Sequence, residues 1–455
     1  MSAKKSDRRQ FLRNSAALAA MAAGVVAART VGAQGGGQMP QNWNVQPLDT
    51  PETREKALNG TPGLAPGQQF DAIYGVRSRY VTSGRIGGVG AYYTGPDGKA
   101  TRPFLGSLTP IQDLRGAITP APLHYFLSHG YIPPDIDPSE HRLLVHGMVD
   151  RPKVFTMEDI YRMPSVTHAH FLECNGNGYM NAMRKSPDAT AQNTHGLTSC
   201  SIWTGVRASY IMELVGAQKS GTWIVAEGAE GAHHSKSVPM WKVMDDALLV
   251  YAQNGEPVRP EQGFPLRFLA PGFEAINSIK YLRRIKVVDS PYFQQRETTG
   301  YQTTITEGDY NDGKARWFQF ELGPKSVITR PSGGMRIGNP GYFEITGLAW
   351  SGAAAVRRVE VSTDNGSTWK DAELQGPVVP KAHTRFTFPW RWDGRETVLL
   401  SRTTDERGQV QPTLAEIGKL WGVDATYLQS HQVGHTNAIQ PWKIKADGRV
   451  YNAIV

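Results

Sequence analysis

Apolar and polar positions alternate in short runs along the chain from about residue 106 to residue 300. Alternation with a period of two predicts strands at Arg142–Gly147 and 222–226. Between such runs, apolar residues spaced three and four apart predict helices at 157–162 and Ala208–Val215. Strands interleaved with helices predict a mixed α+β domain, which we place at residues 106–312.

The pattern changes after about residue 313, where short strands follow one another around turn residues and helical spacing largely disappears. Strands are predicted at Gly341–Trp350, Val356–Ser362 and 398–402, and an Asp-Asn-Gly turn lies at 363–366. Regularly spaced short strands predict an immunoglobulin-like β-sandwich over residues 313–455.

The amino terminus has the features of an export signal. A twin arginine at 8–9 is followed by Phe-Leu, by an apolar run at 16–28 that is too short to span a bilayer, and by small residues at 31–33. This order predicts a Tat signal over residues 1–33 and a periplasmic location. No other apolar stretch approaches transmembrane length.

A chain of 455 residues is long enough for two domains. The segment between the signal and the first domain, residues 34–105, is rich in Gly, Pro, Gln and Asn and has no periodicity. We therefore expect an irregular extension there.

The formal charge of +8 would suit a protein that binds nucleic acid, but much of it lies in the export signal. Residues 1–33 hold six Lys and Arg against one Asp, so the charge without them is +3 and we expect no nucleic-acid partner. The two cysteines, Cys174 and Cys200, do not form a disulfide framework, and no Cys-x-x-Cys-His motif for c-type haem is present.

Cys174 is the main candidate for chemistry. A strand predicted at 168–172 runs directly into Glu-Cys-Asn-Gly-Asn-Gly at 173–178, where small and amide residues let backbone N–H groups approach the sulfur. A thiolate at such a position suits a soft metal. The alternative is a buried, unreactive cysteine, which is our interpretation of Cys200.

Four histidines raise the alternative of a zinc site. His168 and His170 would share one face of a strand, and His233 and His234 follow later in the chain. The spacing of a fourth ligand is missing, so we do not favour zinc.

The turn at 173–178 resembles the Cys-Ala-Gly-Asn loop of the sulfite oxidase superfamily. The segments 263–267, 270–272 and 278–285 resemble that family's second cofactor segment. Residues 401–405, with 408 and 411–412, after 390–392, resemble its dimerisation domain. Within the superfamily, the chain resembles the sulfane dehydrogenases of thiosulfate oxidation. Phrases shared with them lie at 134–138, 195–205, 328–331, 347–352 and 437–440.

The resemblance implies molybdopterin as cofactor, with Cys174 as a ligand to molybdenum. It also implies that Tyr301 is the active-site tyrosine, with a phenol that can hydrogen-bond an oxo group or substrate. The implied cofactor contacts are Tyr125, Phe126, Ser128, His129, Glu230, Gln262, Arg267, Ser278, Ile279 and Lys280.

Two departures from the sulfite oxidases bear on the substrate. Leu127 and Gly178 stand where that family carries arginines, so recognition of a small dianion is weakened. A persulfide on a sulfur-carrier protein therefore fits better than free sulfite. Electrons would pass to a c-type cytochrome, and the C-terminal domain would form a homodimer. Three alternatives stay open: a dehydrogenase acting on free sulfite, a sulfoxide reductase of the same fold, and a periplasmic binding protein without activity.

Overall fold

The computed structural model describes ten ranges of the chain. They are residues 84–87, 93–94, 100–102, 106–128, 133–178, 186–292, 302–303, 317–318, 320–421 and 435–453. The chain from Ser83 to Val455 forms one compact unit. The predicted export signal, His129 and Tyr301 lie outside the described residues, so their assignments stay predictions.

Short strands lie before the first domain and at its start. They are β1 Ile86–Gly87, β2 Tyr93–Thr94, β3 Ala100–Arg102, β4 Gly106–Leu108 and β5 Phe126–Leu127. β4 lies between β1 and β5, and β2 pairs with β3, all antiparallel. The first three strands fall inside the segment predicted to be irregular. The sequence did not reveal them because strands of two or three residues are too short to show a period.

The first domain contains two five-stranded sheets with helices between their strands. Its helices are α1 Met157–Tyr161, α2 Ala191–His195, α3 Ala208–Val215 and α4 Met240–Asp245. Its strands are β6 Arg142–Gly147, β7 Lys153–Thr156, β8 Ser165–Glu173, β9 Thr198–Arg207, β10 Trp223–Gly228, β11 Ser235–Pro239, β12 Leu248–Gln253, β13 Glu256–Pro257, β14 Arg267–Leu269 and β15 Leu282–Val288.

One sheet has the order β11-β10-β15-β6-β7, in which β15 and β6 are parallel. The other has the order β13-β12-β9-β8, with β14 also paired to β12. Helix α3 begins and ends as its sequence predicts. Its buried residues, Ala208, Ile211, Met212 and Val215, follow helical spacing, and Gly216 ends it in the left-handed conformation.

The second domain is an antiparallel β-sandwich, which confirms the predicted fold class. Its strands are β18 Lys325–Arg330, β19 Gly341–Trp350, β20 Val356–Ser362, β21 Lys370–Asp371, β22 Glu373–Gln375, β23 Thr384–Trp392, β24 Thr397–Asp405, β25 Trp442–Ile444 and β26 Val450–Asn452. A hairpin of β16 Gln302–Thr303 and β17 Trp317–Phe318 precedes them, and helix α5 spans Leu414–Trp421.

Two sheets, β18-β19-β23-β22 and β21-β20-β24-β25-β26, supply one shared core. Ile345 and Trp350 on the first sheet belong to the same buried cluster as Val359 and Trp442 on the second. The cluster also takes in Phe171 and Cys200 of the first domain, so Cys200 has the packing role expected for it. None of the described helices is long and apolar enough to cross a membrane.

Candidate cofactor site

A cleft opens between the end of β8, the loop after β10 and the segment that joins β14 to β15. It contains about 600 Å³ of empty space, its solvent-open mouth included. It is lined by Tyr125, Leu127, Cys174, Glu230, His234, Gln262, Arg267, Ala275, Ile276, Ser278 and Lys280. The fold thus brings together seven residues that the resemblance implied: Tyr125, Cys174, Glu230, Gln262, Arg267, Ser278 and Lys280.

Three further residues of that set do not line the cleft. Phe126 lies next to it, with its ring 4.6 Å from Lys280 Nζ. Ser128 is buried, and its hydroxyl has no hydrogen-bonding partner among the described residues. Ile279 is buried in the core of the first domain, so its side chain packs rather than faces the cleft.

Cys174 follows the last residue of β8 and is half-buried. Its N–H donates to Leu197 O at 3.0 Å, and its carbonyl accepts from Asn177 N at 2.9 Å, which closes a tight turn. Burial raises the pKa of its thiol to about 12, although the Gly176 N–H acts in the other direction. The thiol is therefore neutral at pH 7 unless a cation such as a metal ion binds it and replaces the proton.

Arg267 begins β14 and is 3% exposed. Its Nη1 donates to the backbone oxygen of Gln262 at 3.1 Å, and the amide of Gln262 donates in turn to Tyr125 O at 2.8 Å. The guanidinium lies 5.6 Å from the ring of Trp203. These contacts hold a planar cation in a fixed orientation at the edge of the cleft.

Lys280 supplies a second, half-buried amino group to the same wall. Its Nζ donates to Leu127 O at 3.1 Å. Burial, and next the charge of Arg267, lower the pKa of Lys280 to about 7. The charge of Arg267 beside Lys280 favours an anionic group in the cleft, which would raise the pKa of the lysine again.

Glu230 is the acidic residue of the cleft. One carboxylate oxygen accepts from His234 N at 2.7 Å, while the other is buried without a hydrogen-bonding partner among the described residues. Burial raises the pKa of Glu230. The unsatisfied oxygen of Glu230 and that of Ser128 are polar groups that a hydrogen-bonding ligand would satisfy.

Sequence reasoning missed the polar groups that support the Cys174 turn from behind. The amide of Asn175 donates to Glu274 Oε1 at 2.6 Å, and both side chains are buried. Glu173 accepts from Lys325 Nζ at 2.6 Å and from Trp350 Nε1 at 2.6 Å. The charged residue directly before the cysteine was the one available signal, because these partners of Asn175 and Glu173 lie 99 to 177 residues away along the chain.

Gly178 is one of the two positions for which the resemblance implies the loss of an arginine, and its surroundings explain the glycine. It has a φ of +86°, and a Cβ there would lie 3.0 Å from Thr436 O and 3.4 Å from Lys325 Nζ. A longer side chain would be strained at this φ and would meet a buried ammonium group.

The histidines considered as zinc ligands are not gathered at one point. His168 and His170 share β8 with ring centroids 5.9 Å apart. In the described part of the chain, no three His, Cys, Asp or Glu side chains come together as a metal site.

Comparison with known proteins identifies the family. Residues 129–296 match the oxidoreductase molybdopterin binding domain family, and residues 316–433 match the Mo-co oxidoreductase dimerisation domain family. The chain belongs to the sulfite oxidase superfamily of molybdopterin-binding proteins. Its fold is similar to the sulfane dehydrogenase SoxCD from Paracoccus pantotrophus, with a TM-score of 0.75 and 33% identity over 92% of this chain and 99% of that one.

Curated relatives support the same assignment. The mitochondrial sulfite oxidase of Mus musculus is 30% identical over 71% of this chain, and the nitrate reductase of Hordeum vulgare is 31% identical over 61%. The match spans 62% of the mouse protein and 33% of the barley protein. The chain therefore corresponds to about three fifths and one third of these two relatives.

The side chains around the cleft fit molybdopterin. Cys174 offers a sulfur that needs a metal to ionise, and Arg267 and Lys280 offer charge to a phosphate. Glu230, which also lines the cleft, offers an unsatisfied hydrogen-bonding atom. The cleft thus presents a sulfur, basic groups and a polar acceptor whose chemistry suits such a cofactor.

Proposed function

We propose that this chain is an exported molybdenum oxidoreductase that oxidises sulfane sulfur bound as a persulfide to a carrier protein. The observation that carries the choice of substrate is Leu127, which lines the cleft where sulfite oxidases have an arginine. Gly178, the second such position, is surrounded by backbone and a buried lysine. Small oxyanions are held by charge-assisted hydrogen bonds from guanidinium groups, and a persulfide on a protein needs fewer of them.

In this proposal Cys174 is the protein ligand to molybdenum, and Arg267 and Lys280 hold the phosphate of the pterin. Tyr125, Glu230, Gln262 and Ser278 provide further cofactor contacts from the walls of the cleft. When bound, the cofactor supplies oxygen transfer to sulfur and accepts two electrons. The chain itself fixes the ligand sulfur, neutralises the phosphate and leaves the cleft mouth open to substrate.

The proposal includes three features of the whole protein. A c-type cytochrome accepts the electrons one at a time, the Tat signal takes the folded protein to the periplasm, and the sandwich domain joins two copies. The match of residues 316–433 to a dimerisation family supports the last of these. The twin arginine at 8–9 supports export after cofactor insertion.

The substrate is tested by assaying cytochrome c reduction with sulfite, thiosulfate and a persulfidated carrier protein side by side. We expect the persulfide to be the best substrate of the three. Leu127→Arg should raise kcat/KM for sulfite by about ten-fold or more, since a hydrogen bond to a charged group contributes about 1.5–3 kcal/mol. High salt should reduce this gain. Leu127→Met, which changes shape without charge, is the matched control and should leave sulfite turnover unchanged.

Two results would count against the proposal at different levels. Rapid oxidation of micromolar sulfite by the unaltered protein, with no gain from Leu127→Arg, would favour free sulfite as the substrate. Absence of molybdenum from the purified protein would instead favour a binding protein without activity and would end the enzymatic proposal.

A further inference from the structure

A buried ion pair joins the two domains directly behind the Cys174 turn. Glu173 is the last residue of β8 and Lys325 is the first residue of β18, and their Oε1 and Nζ atoms lie 2.6 Å apart. Both side chains are 0% exposed. Neither charged group has access to water, so each depends on the other for its stabilisation.

The pair is tied to both ends of the turn that carries Cys174. Asn177 Nδ2 donates to Glu173 Oε1 at 2.8 Å, and Lys325 Nζ donates to Asn177 O at 3.1 Å. Trp350 Nε1 donates to the other oxygen of Glu173. One ammonium group from the second domain thus contacts the residue before the cysteine and the residue three positions after it.

The two histidines beside this pair, His195 and His435, add no positive charge to it. Burial lowers the pKa of His195 and of His435 to about 3, so both rings are neutral at pH 7. A buried ion pair can often be replaced by apolar residues without loss of stability, so stability alone does not account for one. Ion pairs do, however, require a definite geometry, which apolar contacts do not.

We infer that Glu173 and Lys325 are positioning residues, which clamp the Cys174 turn to the second domain and thereby fix where the cysteine sulfur meets the metal. The inference rests on the proposed role of Cys174 as a molybdenum ligand. Through Lys325, the second domain would then help to position the metal ligand. Its family is named only for dimerisation.

The test uses the full-length protein with the double substitution Glu173→Gln and Lys325→Met. Removing both charges leaves neither an unpaired carboxylate nor an unpaired ammonium, so we expect the melting temperature to stay within a few degrees of the parent value. The control is Asp113→Asn. It breaks the ion pair of Asp113 with Arg330, the last residue of the same strand β18, where both partners are 38% exposed.

Two measurements on each variant need no substrate. Hydrogen exchange reports the opening of residues 174–178, and the electron paramagnetic resonance spectrum of Mo(V), generated with dithionite, reports the geometry at the metal. For the double variant we expect exchange in this segment to be faster by about ten-fold or more, with β9 unchanged, and a shifted spectrum. The control should match the parent in both measurements.

A double variant with parental exchange at 174–178 and a parental spectrum would overturn the inference and leave the pair with a packing role only. If the parent protein itself contains no molybdenum, the spectrum is silent and the proposed function fails. Exchange in the segment 174–178 still decides whether the clamp exists.

Discussion

Asn175 directly follows Cys174, and its hydrogen bond to the buried Glu274 gives this residue a definite role. Burial raises the pKa of Glu274 to about 7, while the hydrogen bond from Asn175 favours the ionised form. When folding raises the pKa of a carboxyl group, the protein loses stability as pH rises. The loss begins near the pKa in the unfolded chain and is complete above the pKa in the folded protein. The Asn175 donor limits that loss.

We therefore expect Asn175→Ala to destabilise the protein more at pH 8 than at pH 6, by about 1–3 kcal/mol at the higher pH. Urea unfolding at the two pH values measures the difference. In a Glu274→Gln background the charge is gone, and Asn175→Ala should show the same effect at both pH values. A pH-independent loss with Glu274 intact would mean that the bond does not select the ionised carboxylate.

At the scale of elements, the close approach of β9 and β12 depends on Gly205. Gly205 pairs with Val250, which also pairs with Arg267 on β14. A Cβ at Gly205 would collide with Leu249 O and lie 2.6 Å from Val250 Cα, both of which are backbone atoms. The glycine is thus a packing requirement of the sheet that presents Arg267 to the cleft.

Gly205→Ala should lower the free energy of unfolding by about 1–3 kcal/mol or more, because backbone atoms cannot rotate away from the added methyl group. It should also lower the molybdenum content, since β12 holds β14 in register. Gly231→Ala is the control, since a Cβ there has nothing within 4 Å, and it should change stability by less than about 0.5 kcal/mol. Thermal unfolding and metal analysis of the two variants check both points. Equal stability of the two would contradict the argument.

At the scale of the whole molecule, buried histidines in both domains make folding sensitive to acid. Four of them have a pKa of about 3, and burial is the main cause in each. They are His124, His195, His383 and His435. In the unfolded chain each would titrate near the ordinary value of about 6.5. The unfolded state therefore takes up more protons below that pH, and stability falls as pH falls.

We predict that the free energy of unfolding declines steadily from pH 6.5 to pH 4.5, by up to about 1.4 kcal/mol per pH unit for each histidine. Glu274 and Glu230, whose pKa values burial raises, act in the opposite direction, but they are two groups against four. Urea unfolding across this range measures the slope. A midpoint that stays constant between pH 6.5 and pH 4.5 would show that these rings are not held neutral in the folded protein.

The sequence by itself determined the local structure and the identity of the chemical groups. The bounds of α3, β19 and β20 were predicted correctly because periodic burial leaves a pattern in the residues that form each element. The turn around Cys174 was also predicted from local sequence, because a strand runs directly into small and amide residues. Resemblance then indicated the cofactor, and the family matches confirm it.

Only the tertiary structure decided which distant groups meet. Lys325 pairs with Glu173 across 152 residues, and Asn175 meets Glu274 across 99. The tertiary structure also placed Ile279 in the core rather than in the cleft. A local pattern records how much of a residue is buried but not what it is buried against. That choice depends on how strands from separate parts of the chain pack together.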